Sequence, residues 1–502
     1  LIITDDAQLN GNGKTLTISG NFTKASTGGF VAGATYADGT LVLAAAVPAA
    51  QKQLNGAFTL HNLLLEAGTN YLVPANDLTV KGDFNNQGCI DGVTRRVTFE
   101  GNFLNAETGI LKSSGVAAFA GTRLQTIQLR APIQGSVPHP LNPAVTIPPA
   151  VEFNGSVAPV LNSTATPNFG KVTISNQDPA GIRTSVGWTV NLDFNVSAGA
   201  KFDGGAYTHN FYTAILNNGT IHSSGRINFV PSGLAGLSAY PLKFGTTATA
   251  FQSTGTVYIG GSPLVALTGV VPAQLNNLTI ANTNAAGVST QGLSAELPLY
   301  GTSWALNGDL TIASGAKFNA GANTTYTIGG NIINSGTING AEGTFTLTNA
   351  LGRSSNPVTV AAIDGAGSTT LGNLTIGTDA SLEINSNLNI TGDLVHNGQS
   401  LSTTGAEINF TGSGASQISA AIGTISIENL KVSKGTSDAT VTLQADIVDV
   451  LNLTVQSGTL DLGTRSLTTS DGASSELTVA SGALLKLGGT ATLPDFSVYA
   501  LD

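Results

Sequence analysis

Residues 373–398 read NLTIGTDASLEINSNLNITGDLVHNG, and this stretch decides the fold. Its opening Leu374-Thr375-Ile376 alternates apolar, polar and apolar, the pattern of a strand with one buried face. It closes on Asn397-Gly398, a pair that readily adopts the positive φ of a tight turn. The same text stands at 62–88 as NLLLEAGTNYLVPANDLTVKGDFNNQG, one residue longer. Leu72 falls on Leu382, Leu78 on Leu388, and Gly82-Asp83 on Gly392-Asp393. The chain repeats itself.

Working outward, residues 188–221 lie on 304–338, again with one extra residue, and Gly-Ala-Lys-Phe occurs at 199–202 and at 315–318. On this alignment Thr325 stands where His209 does, and Asn323, Thr327 and Ile328 face Tyr207, Phe211 and Tyr212. A Gly-Asp/Asn-apolar triplet recurs at Gly20-Asn21-Phe22, Gly82-Asp83-Phe84, Gly101-Asn102-Phe103, Gly308-Asp309-Leu310, Gly330-Asn331-Ile332 and Gly392-Asp393-Leu394. An Asn-Leu element recurs at Asn62, Asn277, Asn373 and Asn429, and Phe-x-Gly at Phe99, Phe119, Phe153 and Phe410. Strand triplets such as Leu78-Thr79-Val80, Val172-Thr173-Ile174, Leu310-Thr311-Ile312 and Leu453-Thr454-Val455 run throughout, and helical spacing is all but absent.

Units of uneven length select the architecture. A β-sandwich array repeats at roughly a hundred residues with a closed core per unit. Here inserts such as 285–302 separate intact strand triplets, which a solenoid tolerates because each coil touches only its neighbours. The expected fold is therefore all-β: a parallel β-helix (β-solenoid), right-handed by analogy with known β-helices and elongated into a rod. Coils of roughly 20–22 residues would give about two dozen turns and a length on the order of 110 Å. Prolines 132, 138, 140, 143, 148, 149 and 159 cannot donate to a ladder, so residues 131–160 are expected to form a side excursion or a joint. This gives N-terminal coils over 1–130 and the main coils over 161–502.

Composition agrees. Of 502 residues only 10% are charged, against roughly a quarter in ordinary domains, and the net charge is −10. Stacked coils place equivalent side chains about 4.8 Å apart, where like charges repel and Asn or Thr can form ladders. The acidic balance excludes a nucleic-acid binder. One cysteine excludes an internal disulfide and the cysteine-pair zinc motifs. No apolar run is long enough to span a bilayer. The opening Leu1-Ile2-Ile3-Thr4, without an initiator Met, leads us to expect an excised or processed piece of a longer, exported precursor.

Candidate chemistry is sparse. Asp446, Asp449 and Asp461 are the densest acidic group. Asp449 and Asp461 on neighbouring coils would offer oxygen ligands to Ca²⁺, but solvated turn carboxylates are the preferred reading. Thr4-Asp5-Asp6 is a weaker candidate of the same kind. His209 and His222 could stack on successive coils with Asp203 as third ligand; surface histidines are preferred, and His61, His139 and His396 are isolated. No Gly-x-Ser-x-Gly elbow or phosphate-binding loop occurs. Cys89 is read as a small buried or turn residue. Trp188 and Trp304 are read as repeat-core packing in preference to sugar platforms. Tyr207, Phe211 and Tyr212, the one aromatic cluster that departs from its copy, form the candidate ligand-contact patch. The Asn-x-Ser/Thr triplets at Asn21, Asn162, Asn195, Asn277, Asn373 and Asn452 follow from composition alone.

The assembled unit, clearest from Phe410-Thr411-Gly412-Ser413-Gly414 through Asn429-Leu430, resembles the degenerate β-solenoid repeat of large Bacteroidota-type surface adhesins exported by the type IX route. The resemblance implies an extracellular, cell-surface location and a non-catalytic structural or adhesive role, with a surface glycan or protein as ligand. Further repeats, or end-to-end self-association of open strand edges, would be its other partners. The alternative is a β-helical carbohydrate-active enzyme, a polysaccharide lyase or hydrolase, resting on fold-level precedent and the three aspartates.

Overall fold

The computed structural model describes residues 1–3, 13–24, 36–45, 51–73, 76–113, 115–131, 133, 137–139, 142–164, 166–233, 237–273, 275–290, 292–294, 297–348, 360–422, 424–470, 474–489 and 493–501. The chain divides into two compact units, Leu1–Gly255 and Thr256–Asp502. Each is a parallel β-solenoid, and among the described residues there is no helix; 53% of the chain is strand.

In the first unit a coil contributes three short strands, as in Asn70–Leu72, Leu78–Val80 and Phe84–Asn86, followed one coil on by Cys89–Asp91, Arg96–Phe99 and Phe103–Asn105. Equivalent strands pair in parallel and in register: Leu63 with Phe84, Phe84 with Phe103, Phe103 with Ile127, Ile127 with Leu161. Alternate side chains point inward, so Leu78 and Val80 are buried while Thr79 between them is half-buried. The interior is an aromatic column. Phe99, Phe119, Phe153 and Trp188 stack successively at centroid distances of 5.7, 5.4 and 5.7 Å, the favoured range for ring pairs.

The second unit repeats the scheme with a more aliphatic interior. Leu278 pairs with Leu310, Leu310 with Ile332 and Ile332 with Ile363; on another face Phe345, Leu374, Leu394 and Ile418 follow one another. Summed over the two units the strands make about 19 turns, fewer than the expected two dozen. Coils that carry an insert exceed the expected length of roughly 20–22 residues, and one such insert is a hairpin. Val137–His139 pairs antiparallel with Asn142–Ile147, while Val116–Phe119 below it pairs directly with Ala150–Phe153 above. Within the Pro-rich segment the first unit thus carries a hairpin. Gly292–Ser294 and Leu297–Tyr300 form the corresponding antiparallel pair within the second.

Candidate functional site

The motif residues are corner residues, and the corners explain them. Asn62 Oδ1 accepts the backbone N–H of Asp83 at 2.7 Å, Asp83 Oδ1 that of Asn102 at 3.2 Å, and Asn102 Oδ1 that of Thr126 at 2.9 Å. Within the second unit Asn277, Asp309 and Asn331 do the same toward Asp309, Asn331 and Ala362, and Asn373 and Asp393 toward Asp393 and Gln417. Asn62, Asn277 and Asn373 of the Asn-Leu element thus play the same part as the Asp or Asn of the Gly-Asp/Asn-apolar triplet, in separate stacks, whereas Asn429 Oδ1 accepts from Asn452 Nδ2 at 2.6 Å. Asn and Asp alternate in these stacks because each offers a short side-chain oxygen to the coil above. Of the Asn-x-Ser/Thr asparagines, Asn277 and Asn373 belong to these stacks, and Asn21 Oδ1 accepts likewise from Gln53 N–H at 3.1 Å on a separate sheet.

A second corner carries Asn-x-Gly. Asn217 turns into the core, its Oδ1 accepting from Gly219 N–H at 3.1 Å while its Nδ2 donates to Phe244 and Ala250 carbonyls at 2.8 and 3.0 Å. Asn334 repeats this with Gly336 and Ser368. His396 occupies the same place before Asn397-Gly398, fully buried, and neither ring nitrogen has a hydrogen-bond partner among the described residues. Burial pushes its pKa below the ordinary 6.5.

The expected surface histidine at 209 is corrected: His209 is fully buried. Its Nδ1 accepts from Trp188 N–H at 3.1 Å, which leaves the proton on Nε2 to donate to Gly204 O at 2.8 Å. Burial lowers its pKa from the ordinary 6.5, against the opposing pull of the Gly204 carbonyl. Its structural counterpart in the second unit is Tyr326, which pairs with Trp304 as His209 sits over Trp188, and not Thr325. The extra residue lies in the turn 320–324, where Asn323 takes φ 55° as Gly205 takes 56° in the shorter copy.

Of the expected contact patch, Phe211 lies inside the core at 1% exposure; Tyr212 is half-buried and Tyr207 exposed. Trp188 and Trp304 are both core residues. Cys89 is half-buried, and burial raises its thiol pKa against the pull of Lys112. The side chain of His139 and the segment Thr4-Asp5-Asp6 lie outside the described residues.

The three C-terminal aspartates are not brought together. Asp446 Oδ1 accepts from Ser466 N–H at 2.7 Å, a corner role. Asp449 is exposed at φ 63°, inside a register irregularity between Ile447 and Val450, where a short polar side chain tolerates left-handed backbone. Asp461 lies on another strand, 2.7 Å from Lys486 Nζ, whose hydrogen bond holds its carboxyl below the ordinary 3.8. Among the described residues no group of three or more His, Cys, Asp or Glu converges as a metal site would require, and no helix is long and apolar enough to cross a membrane.

Two arrangements escape a reading by motif. Lys434 is buried, its Nζ donating to Thr411 O at 2.9 Å and Ser416 Oγ at 2.6 Å; burial pushes its pKa below 10.5, with Asp393 opposing. No local pattern marks a lysine as buried. On the outer face of the first unit, Arg183, Asp203, His222 and Gln252 stand one above another on successive strands. Asp203 lies 3.6 Å from Arg183 Nε and 3.5 Å from His222 Nδ1. Asp203 and His222 are already grouped by the sequence; the coil period, applied to charged residues, is the signal that adds Arg183.

Comparison with protein-family models, with curated proteins and with solved structures gives no match. What fold and corners define is a β-solenoid repeat protein.

Proposed function

We propose that this chain is a non-catalytic structural and adhesive rod of an extracellular bacterial surface, part of a surface fibre or a large adhesin. The observation that carries this reading is the use made of its polar residues: the recurrent Asn and Asp side chains bond the coils to one another at the corners. The aspartates that best suited acid–base work are placed likewise, Asp446 at a corner and Asp461 on Lys486. A stacked repeat also offers a long surface for ligands and for further coils. Electron microscopy of the isolated chain is expected to show thin, elongated particles; compact globules would overturn the reading. Turnover of a polysaccharide, abolished by Asp449→Ala, would replace it with a carbohydrate-active β-helix.

A further inference from the structure

The row Arg183–Asp203–His222 and the neighbouring Tyr207 have a feature that the rest of the outer surface described above does not combine: donor, acceptor and exposed ring at one corner. Asp203 Oδ1 accepts from Gly205 N–H at 3.1 Å, which fixes the carboxylate at the turn. Arg183 reaches Asp203 only through Nε, at 3.6 Å, longer than a normal hydrogen bond, and its side chain is 69% exposed. An ion pair this long, with its arginine in solvent though the Asp203 side chain is only 20% exposed, stabilises a fold by roughly 0–1 kcal/mol. Tyr207 ends the same turn. Its ring lies 3.4 Å from where a side chain on Gly205 would begin, and the residue is 40% exposed. Its main chain is pinned, because Tyr207 O accepts from Arg226 N–H at 3.1 Å.

We infer that the Asp203–Gly205–Tyr207 corner, with Arg183 and His222, binds a neutral hexopyranose unit of a glycan, an inference that rests on the adhesive reading above. A sugar hydroxyl donates and accepts at once, which matches a carboxylate beside a guanidinium. The apolar C–H face of a pyranose suits an exposed tyrosine ring, whose body is apolar and whose tip is polar. Charge decides between neutral and acidic sugars. Asp203 offsets Arg183 although Arg226 stands exposed beside Tyr207, and the chain's net −10 opposes a polyanion. The row rises by about 4.8 Å per coil, so its members can contact successive positions of one oligosaccharide laid along it.

The test is binding of the full chain to immobilised neutral gluco-, galacto- and manno-oligosaccharides, with oligogalacturonates as a second arm. At least one neutral series is expected to bind. Tyr207→Ala and Asp203→Asn should each weaken it by about tenfold or more, and Tyr207→Phe, which keeps the ring, should retain it. Absence of neutral binding, binding to oligogalacturonates alone, survival of binding in both weakened variants, or its loss in Tyr207→Phe would each overturn the assignment. All four outcomes leave an elongated particle in the microscope untouched, whereas a compact globule removes the rod reading whatever the sugars do.

Discussion

The coils that begin at Trp188 in the first unit and at Trp304 in the second share a frame and differ in filling. Gly199 and Gly315 turn at φ 78° and 76°. Gly219 and Gly336 sit so close to the coil below that a Cβ would stand 2.2 and 2.4 Å from the Ala200 and Ala316 carbonyl oxygens. Asn217 and Asn334 make the same inward bonds. Over the tryptophan, however, one copy has the imidazole of His209 and the other the phenol of Tyr326, whose hydroxyl meets Thr290 Oγ1 at 2.5 Å and accepts from Gly321 N–H at 2.8 Å. Backbone proximity at the corners admits a single residue type, while the interior accepts any large ring whose polar atom finds a turn.

The sharpest way to break that comparison is to fill the corner. Gly219→Ala and Gly336→Ala both force backbone against backbone, and each is expected to cost about 4 kcal/mol, at the severe end for single substitutions. Gly414→Ala, where nothing lies within 4 Å of the added carbon, should stay within about 0.5 kcal/mol. Denaturant midpoints of the three variants measure the difference, and equal effects would show that the corner contact is not what excludes a side chain.

The filling is distinguished by pH. His209 holds its folded pKa below 6.5, so the folded state binds fewer protons than the unfolded one in that window. Its contribution is present above pH 6.5 and is lost as pH falls from there through the lowered value, because an imidazolium cannot accept from Trp188 N–H. Burial raises Tyr326 above its ordinary 10, so the second copy does not titrate between pH 5 and 8. Hydrogen exchange should show protection of the Trp188 amide falling on acidification while residues 325–328 hold theirs. His209→Phe should abolish the acid sensitivity at Trp188.

His396 sharpens the corner comparison from the other side. It stands where Asn217 and Asn334 stand but leaves two buried nitrogens without partners among the described residues, and an unmet buried polar group costs about 1–3 kcal/mol. His396→Asn restores the inward amide, so the variant should gain roughly 1–2 kcal/mol by denaturant titration. A loss instead would mean that imidazole volume matters more than bonding at that corner.

These particulars also locate what a sequence can carry. The period-2 triplets and turn glycines placed the strands, and the duplicated text at 62–88 and 373–398 placed the coils, because both are local or self-referring signals. Burial of His209, His396 and Lys434 was illegible: each faces inward only because of its register, which depends on the coil below. The misplacement of Thr325 against His209 shows the cost directly, since one residue in a turn exchanges inside for outside. Phe211 is buried for the same reason, whereas Tyr207, which ends a turn, is exposed.

The smallest effect tests why Asp and Asn interchange at the ladder corner. Asp309 uses only Oδ1, accepting from Asn331 N–H at 2.8 Å, and the neighbouring corner Asn277 serves Asp309 through the same atom. An amide oxygen can replace a carboxylate oxygen there, so Asp309→Asn should change stability by less than about 0.5 kcal/mol. Asp309→Ala removes the acceptor and leaves the N–H of the next coil unmet, for a loss of about 1 kcal/mol. The carboxylate's charge is then incidental to the ladder, and the chain could exchange its corner aspartates for asparagines with little change in fold. A large loss in Asp309→Asn, read by thermal melting, would instead make the charge itself part of the corner.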